Sequence, residues 1–148
     1  MVKKLIYILF LFLNFNIFIK PENISSEQIR WQVNETFLIN LEISDDFKKR
    51  EIGLMNKKVL DQDKGMIFIY ERLEPVNIWM YKTFIPLDII FLKNNEIQKI
   101  QFNAKPCLKL PCEIYPSEKP IDMVIEINGG LSKELNLNVG EELIFLKN

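Results

Sequence analysis

WMYKTFIPLDIIF (residues 79–91) holds the first half of a turn and then a near-continuous run of large apolar residues from Leu87 onward. Such a run, with β-branched residues and no polar alternation, is the pattern of a strand covered on both faces. Pro86 has no N–H for a ladder and restricts Ile85 to extended backbone, so the strand begins stiffly just after it. Asp88 interrupts the run. Burying a carboxylate alone costs roughly several kcal/mol, so it must be hydrogen-bonded or paired. Arg50, Lys82 and Thr83 are the candidate partners. Two uses remain open: a staple, in which Arg50 or neighbouring backbone N–H groups hold Asp88 and lock a helix to the sheet, or a carboxylate facing a ligand. The expected arrangement is Asp88 at the base of a pocket, with Trp79 and Lys82 nearer its mouth.

Outward from this strand the pattern is β-rich. Residues 36–43 alternate, with Phe37, Ile39, Leu41 and Ile43 on one face. Ser44 or Asp45 can cap a short helix that ends near Asn56 and places Phe47, Arg50 or Glu51, and Leu54 on one side. Residues 65–70, 77–81 and 87–92 read as strands, and Asn94-Asn95 as a hairpin turn into a strand over 96–102. Residues 122–127 form a strand ending at Gly129-Gly130, a short helix follows over 131–135, and the last strand covers 143–146. The expected class is mainly β with one or two short helices, a small antiparallel, partly open barrel or sandwich.

Composition bounds the partners and the compartment. The 148 residues suffice for one domain, and 19 basic against 20 acidic residues, scattered instead of gathered into a stripe, make nucleic acid a poor partner. Histidine is absent. That excludes Ser-His-Asp and Cys-His catalysis and every His-ligated metal site, leaving acid–base work to Asp, Glu, Lys or Tyr. After Lys3 and Lys4, residues 5–19 are apolar except for Asn14 and Asn16. The run is short for a membrane span and suits a signal peptide over 1–26, with an uncleaved anchor at 5–19 as the alternative. A single domain over 27–148 would then be periplasmic or extracellular. Removing Lys3, Lys4, Lys20 and Glu22 leaves 16 basic and 19 acidic residues, net −3. Outside the cytosol Cys107 and Cys112 default to a disulfide, either a staple shaping a local surface or a reversible redox pair.

Other residues carry paired readings. Trp79 is a core anchor or the wall of a pocket. Met55, Met66 and Met80 fill core gaps or could hold Cu(I). Gly53 and Gly65 serve a turn and close packing. No metal or cofactor is expected.

Several blocks together resemble one family. These are REIGLM (50–55), GMIF (65–68), the 79–91 stretch, AKPC (104–107) with Cys112 and Tyr115, and the late GG and GE pairs. In order and spacing they resemble domain of unknown function 192 over about residues 36–146. The resemblance implies a compact, mostly β domain with a partly open barrel, often exported and without an established activity. Where relatives usually carry Lys-Asn after the Trp-Met pair, this chain has Tyr81-Lys82, a flexible cation in place of an amide.

Two classes of function are compatible with these residues. One is a cell-envelope module binding a small molecule or a partner segment in a pocket formed by Arg50, Trp79, Lys82, Thr83 and Asp88. The other is a small enzyme on an envelope glycan or ester, pairing Asp88 with Glu51 or Glu126, the two carboxyls roughly 5 to 9 Å apart. A purely structural accessory protein is a third.

Overall fold

A computed structural model describes residues 28–146. The proposed leader or anchor lies outside the described residues. In chain order these comprise β1 (Gln28–Gln32), β2 (Leu38–Ser44), α1 (Phe47–Ile52), β3 (Lys64–Glu74), β4 (Asn77–Trp79), β5 (Leu87–Lys93), β6 (Glu96–Ala104), β7 (Ile114–Pro116), β8 (Ile121–Asn128), α2 (Leu131–Glu134) and β9 (Ile144–Leu146). Seven strands, in the order β6-β5-β8-β3-β2-β1-β9, curl into a half-barrel, and β4 and β7 form a small second sheet.

The mainly β class and the partly open barrel are as the sequence implies. One strand pair departs from antiparallel order: β2 and β3 run parallel. Parallel neighbours need a crossover, and the connection carrying α1 supplies it. Two strands had no clear signal in the sequence. QIRWQ at β1 is too brief for its alternation to stand out, and β7 is three residues ending in a proline.

β5 explains the two-sided burial. Leu87, Ile89 and Phe91 enter one apolar cluster with Met66, Phe68, Val124 and, from the small sheet, Ile78 and Tyr115. Ile90 and Leu92 enter a second cluster on the opposite face, with Trp31, Ile39, Ile67, Ile125 and Leu131. Strand periodicity places Asp88 on this second face with Ile90 and Leu92.

Asp88 is fully buried. One carboxylate oxygen, Oδ1, accepts the backbone N–H groups of Asn103 at 2.8 Å and Gly130 at 2.9 Å, and Oδ2 accepts that of Ser132 at 2.8 Å. The carboxylate thus satisfies first-turn donors of α2 that lack intrahelical partners, and ties them to the end of β6. Gly129 sits within this junction, donating to the Pro86 carbonyl at 3.0 Å. A Cβ there would come 2.6 Å from Asn103 Oδ1 and 3.0 Å from Pro86 Cβ, so only glycine lets the segments approach.

The backbone-held staple is therefore what forms, and the Arg50 pair does not. Arg50 Nη1 donates instead to the carbonyls of Asp45 (2.7 Å) and Ile69 (2.8 Å), on the side of the sheet away from Asp88. Asp88→Asn would turn an amide N–H2 toward at least one of the three donors. We expect it to cost roughly 2 to 4 kcal/mol in urea denaturation, with Asp88→Ala costing more. Adding Arg50→Met should be additive within about 0.5 kcal/mol. Equal midpoints for wild type and Asp88→Asn would contradict the staple, and strong coupling would restore the Arg50 pair.

Candidate functional site

A cavity of about 350 Å³ opens on the first face of the sheet, between α1, β3, β4 and β8. Its first wall comes from α1 and the turn after it. Asp46 caps the helix by accepting the Lys49 N–H at 2.7 Å. Gly53, at φ 47, ends it in a left-handed conformation that favours glycine. The turn buries Leu54 in the core and leaves Arg50, Glu51 and Met55 on the cavity wall. Phe47 differs from expectation. It does not pack beside Leu54 but stands on the rim, 76% exposed, because this six-residue helix buries no residue of its own.

The second wall is aromatic. In β4 Ile78 points into the core while Trp79, 42% exposed, faces the cavity, with the Tyr81 ring 5.4 Å away. Trp79 is thus a wall and not a core anchor. On β3, Phe68, Tyr70 and Glu74 line the interior. The Arg50 guanidinium lies 4.9 Å from the centre of the Tyr70 ring, a cation–π distance. Burial pushes the Tyr70 phenol up to about 12; Arg50 opposes this, and Glu126 and Glu74 add to it.

The floor holds Glu126. Its place on β8, opposite Met66 of β3 and Ile89 of β5, puts it at the centre of the sheet. It is 4% exposed and makes no hydrogen bond or ion pair among the described residues. Desolvation pushes its pKa up to about 8, so near neutrality it is mostly a carboxylic acid able to donate as well as accept.

The other expected site residues divide. Thr83 is buried on the cavity wall. Lys82 is exposed and does not line it; its ammonium lies 5.2 Å from the Tyr81 ring centre. Its backbone is at φ +57 and links the Asn56 N–H to the Cys107 carbonyl. Asparagine tolerates that conformation better than lysine, a backbone reason for an amide in relatives. Asp88 is outside the cavity altogether. It lies on the opposite face from Glu126, so neither Glu126 nor Glu51 shares a cleft with it, and the acid–base pairs built on Asp88 do not form. Cys107 and Cys112 are bonded, with Cα atoms 5.8 Å apart. The Cys107 N–H donates to Met80 at 3.2 Å, attaching that loop behind the aromatic wall. Met66 and Met80 are core residues and Met55 lines the cavity.

Phe47, Tyr70, Glu74 and Tyr81 were not legible as site residues. Glu126 carried a signal that Asp88 also carried, a carboxylate within an apolar strand.

The DUF192 family model, described as Uncharacterized ACR, matches residues 29–145. The chain belongs to the DUF192 family. Among solved structures it is similar to a Sinorhizobium meliloti protein provisionally described as a transcription regulator, at 32% identity and a TM-score of 0.71, covering 80% of this chain and 92% of that one. It is also similar to a protein of unknown function from Novosphingobium aromaticivorans, at 28% identity and a TM-score of 0.68, covering 79% and 83%. No curated protein matches the DUF192 chain described here.

Glu126 gives the cavity a stability signature. A carboxyl whose folded pKa is raised from 4.5 to about 8 binds its proton more tightly folded than unfolded. Its contribution is present in full below the unfolded pKa and is lost as pH rises through the folded one. Asp45, lowered chiefly by its hydrogen bond to Lys49, acts in the opposite sense and only on acidification. Wild type should therefore lose a few kcal/mol, at most roughly 5, between about pH 5 and 9, whereas Glu126→Gln should not. Parallel pH profiles from denaturant melts would contradict the raised pKa.

Proposed function

We propose that this domain is a binding module of the cell envelope that takes a small ligand into the cavity between α1, β3, β4 and β8. The observation that carries this proposal is Glu126: a buried carboxyl without a hydrogen-bond partner among the described residues, lining a cavity with aromatic walls. Burying such a group costs stability, and folds retain such costs at functional sites. The cavity is at the lower end of the roughly 300 to 1,000 Å³ range of small-molecule sites. Export is supported by the charged and apolar N-terminal segment, and the Cys107–Cys112 bond fits an oxidising compartment. Fractionation checks it: the mature protein belongs in the envelope or medium, and a soluble cytoplasmic chain keeping Met1 would contradict it. The regulator description of the S. meliloti protein does not transfer to a chain of balanced, scattered charge.

A second reading has one observation in its favour. A carboxyl with a pKa of about 8, with Glu51 and Glu74 on the same cavity, is poised as a general acid. Recovery of the ligand unchanged separates binding from catalysis. The binding proposal is tested by screening small molecules against the isotope-labelled protein by NMR. Shifts should gather at the Trp79 indole N–H, Tyr81, Arg50 and Glu126. Shifts gathered elsewhere, or none, would contradict the site.

A further inference from the structure

We propose that the ligand of this cavity is an organic cation of the alkylammonium or quaternary ammonium class. The inference rests on the binding proposal above and adds the ligand's chemistry.

Charge is the first argument. Glu126 on β8, Glu51 on α1 and Glu74 on β3 line the cavity, against one guanidinium, that of Arg50. Arg50 is already committed, pinned by two carbonyls and laid over Tyr70. An anionic ligand would meet three carboxyls and a cation turned elsewhere. Glu74 has a counter-ion outside the cavity, Arg72 at 3.4 Å, so a neutral ligand could bond Glu126 but would leave Glu51 without a cation of its own on the cavity wall.

The walls supply the second argument. Trp79 and Tyr81, 5.4 Å apart and tilted by 42°, present aromatic surface to the same space as the carboxyls. Aromatic faces attract cations through the ring quadrupole, most strongly where water is excluded. Arg50 on Tyr70 shows one such contact already in place beside the cavity. Aromatic walls over a carboxyl that has no hydrogen-bond partner among the described residues suit a compact cation with an apolar surface, which an ordinary hydrated inorganic ion lacks.

Proton balance makes the inference testable. Near neutrality free Glu126 holds a proton, and an entering ammonium favours the carboxylate. Binding therefore releases one proton from Glu126 to solvent. The other ionisable groups on the cavity are Arg50, Glu51, Tyr70, Glu74 and Tyr81, with Arg72 paired to Glu74 from outside it; burial pushes the Tyr70 phenol up to about 12, and β5 contributes only Ile89 opposite Glu126.

The experiment is calorimetric titration of the purified protein with choline and with its neutral isostere 3,3-dimethylbutan-1-ol, in buffers of different ionisation enthalpy. Choline should bind at least about tenfold more tightly than the alcohol. Its affinity should rise about tenfold per pH unit up to about pH 8 and then level, with about one proton released at the acidic end. Glu126→Gln should remove the pH slope and weaken choline about tenfold or more. Trp79→Ala should weaken it about tenfold and keep the slope. Both variants are first checked for wild-type melting at pH 5, where Glu126 is protonated. If the alcohol binds as well as choline, or choline affinity is flat or falls with pH, the cavity remains a binding site and the cationic ligand is wrong. If neither probe binds while other small molecules shift Trp79 and Glu126 in NMR spectra, the cation is again wrong. If nothing binds there at all, both proposals fall.

Discussion

The fold closes on one carboxylate. Asp88 is buried at the start of β5, between β6 and β8 in the sheet, and accepts backbone N–H groups from Asn103, Gly130 and Ser132. Those donors belong to the end of β6, to the N-cap of α2 and to its first turn, positions otherwise without ladder partners. Each charge-assisted bond is stronger than its neutral counterpart, and the alternative is a fully buried acceptor left unpaired together with one buried donor, Ser132, and two half-buried ones. Pro86, which cannot donate, and Gly129, which has no side chain, bring the backbone close enough for this to happen. The stiffness seen around residues 85–88 thus positions an acceptor for the main chain and not a group for a ligand.

Glu126 is the counterpart on the other face. Both carboxyls sit in strands of the same sheet, beside each other in register, since Asp88 pairs with Ile127 and Ile89 with Glu126. The pleat sends one to each face. On one side the backbone supplies every partner. On the other, an aromatic-walled cavity lies above the carboxyl and the described residues supply none. The first carboxylate makes sense as architecture alone. The second costs stability that no partner among the described residues offsets, and the binding proposal rests on that cost.

The sequence showed most strands because their apolar periodicity is local. Residues 65–70, 87–92 and 122–127 fall within β3, β5 and β8, and the turn at Asn94-Asn95 joins β5 to β6 as expected. What depended on long-range pairing was hidden. The parallel register of β2 and β3 is set by where α1 lets the chain return, and β7 exists only because β4 pairs with it. For the site, alternation showed that Asp88 needed partners but not who they were, since three backbone N–H groups distant in sequence leave no mark in residue type. Arg50, chosen as a partner for its charge, proved to bind carbonyls on the opposite face. Trp79 was ambiguous because a three-residue strand decides its direction.

Direct titration of the Glu126 side-chain carboxyl carbon by NMR, in selectively labelled ligand-free protein, most directly tests the assignment of function to that face. The expected midpoint lies near 8, against 4.5 for an ordinary glutamate, with chemical shifts at neutral pH reporting a protonated acid. A midpoint in the ordinary carboxylate range would mean that water or a protein partner satisfies Glu126, and would contradict the assignment of the cavity as the site.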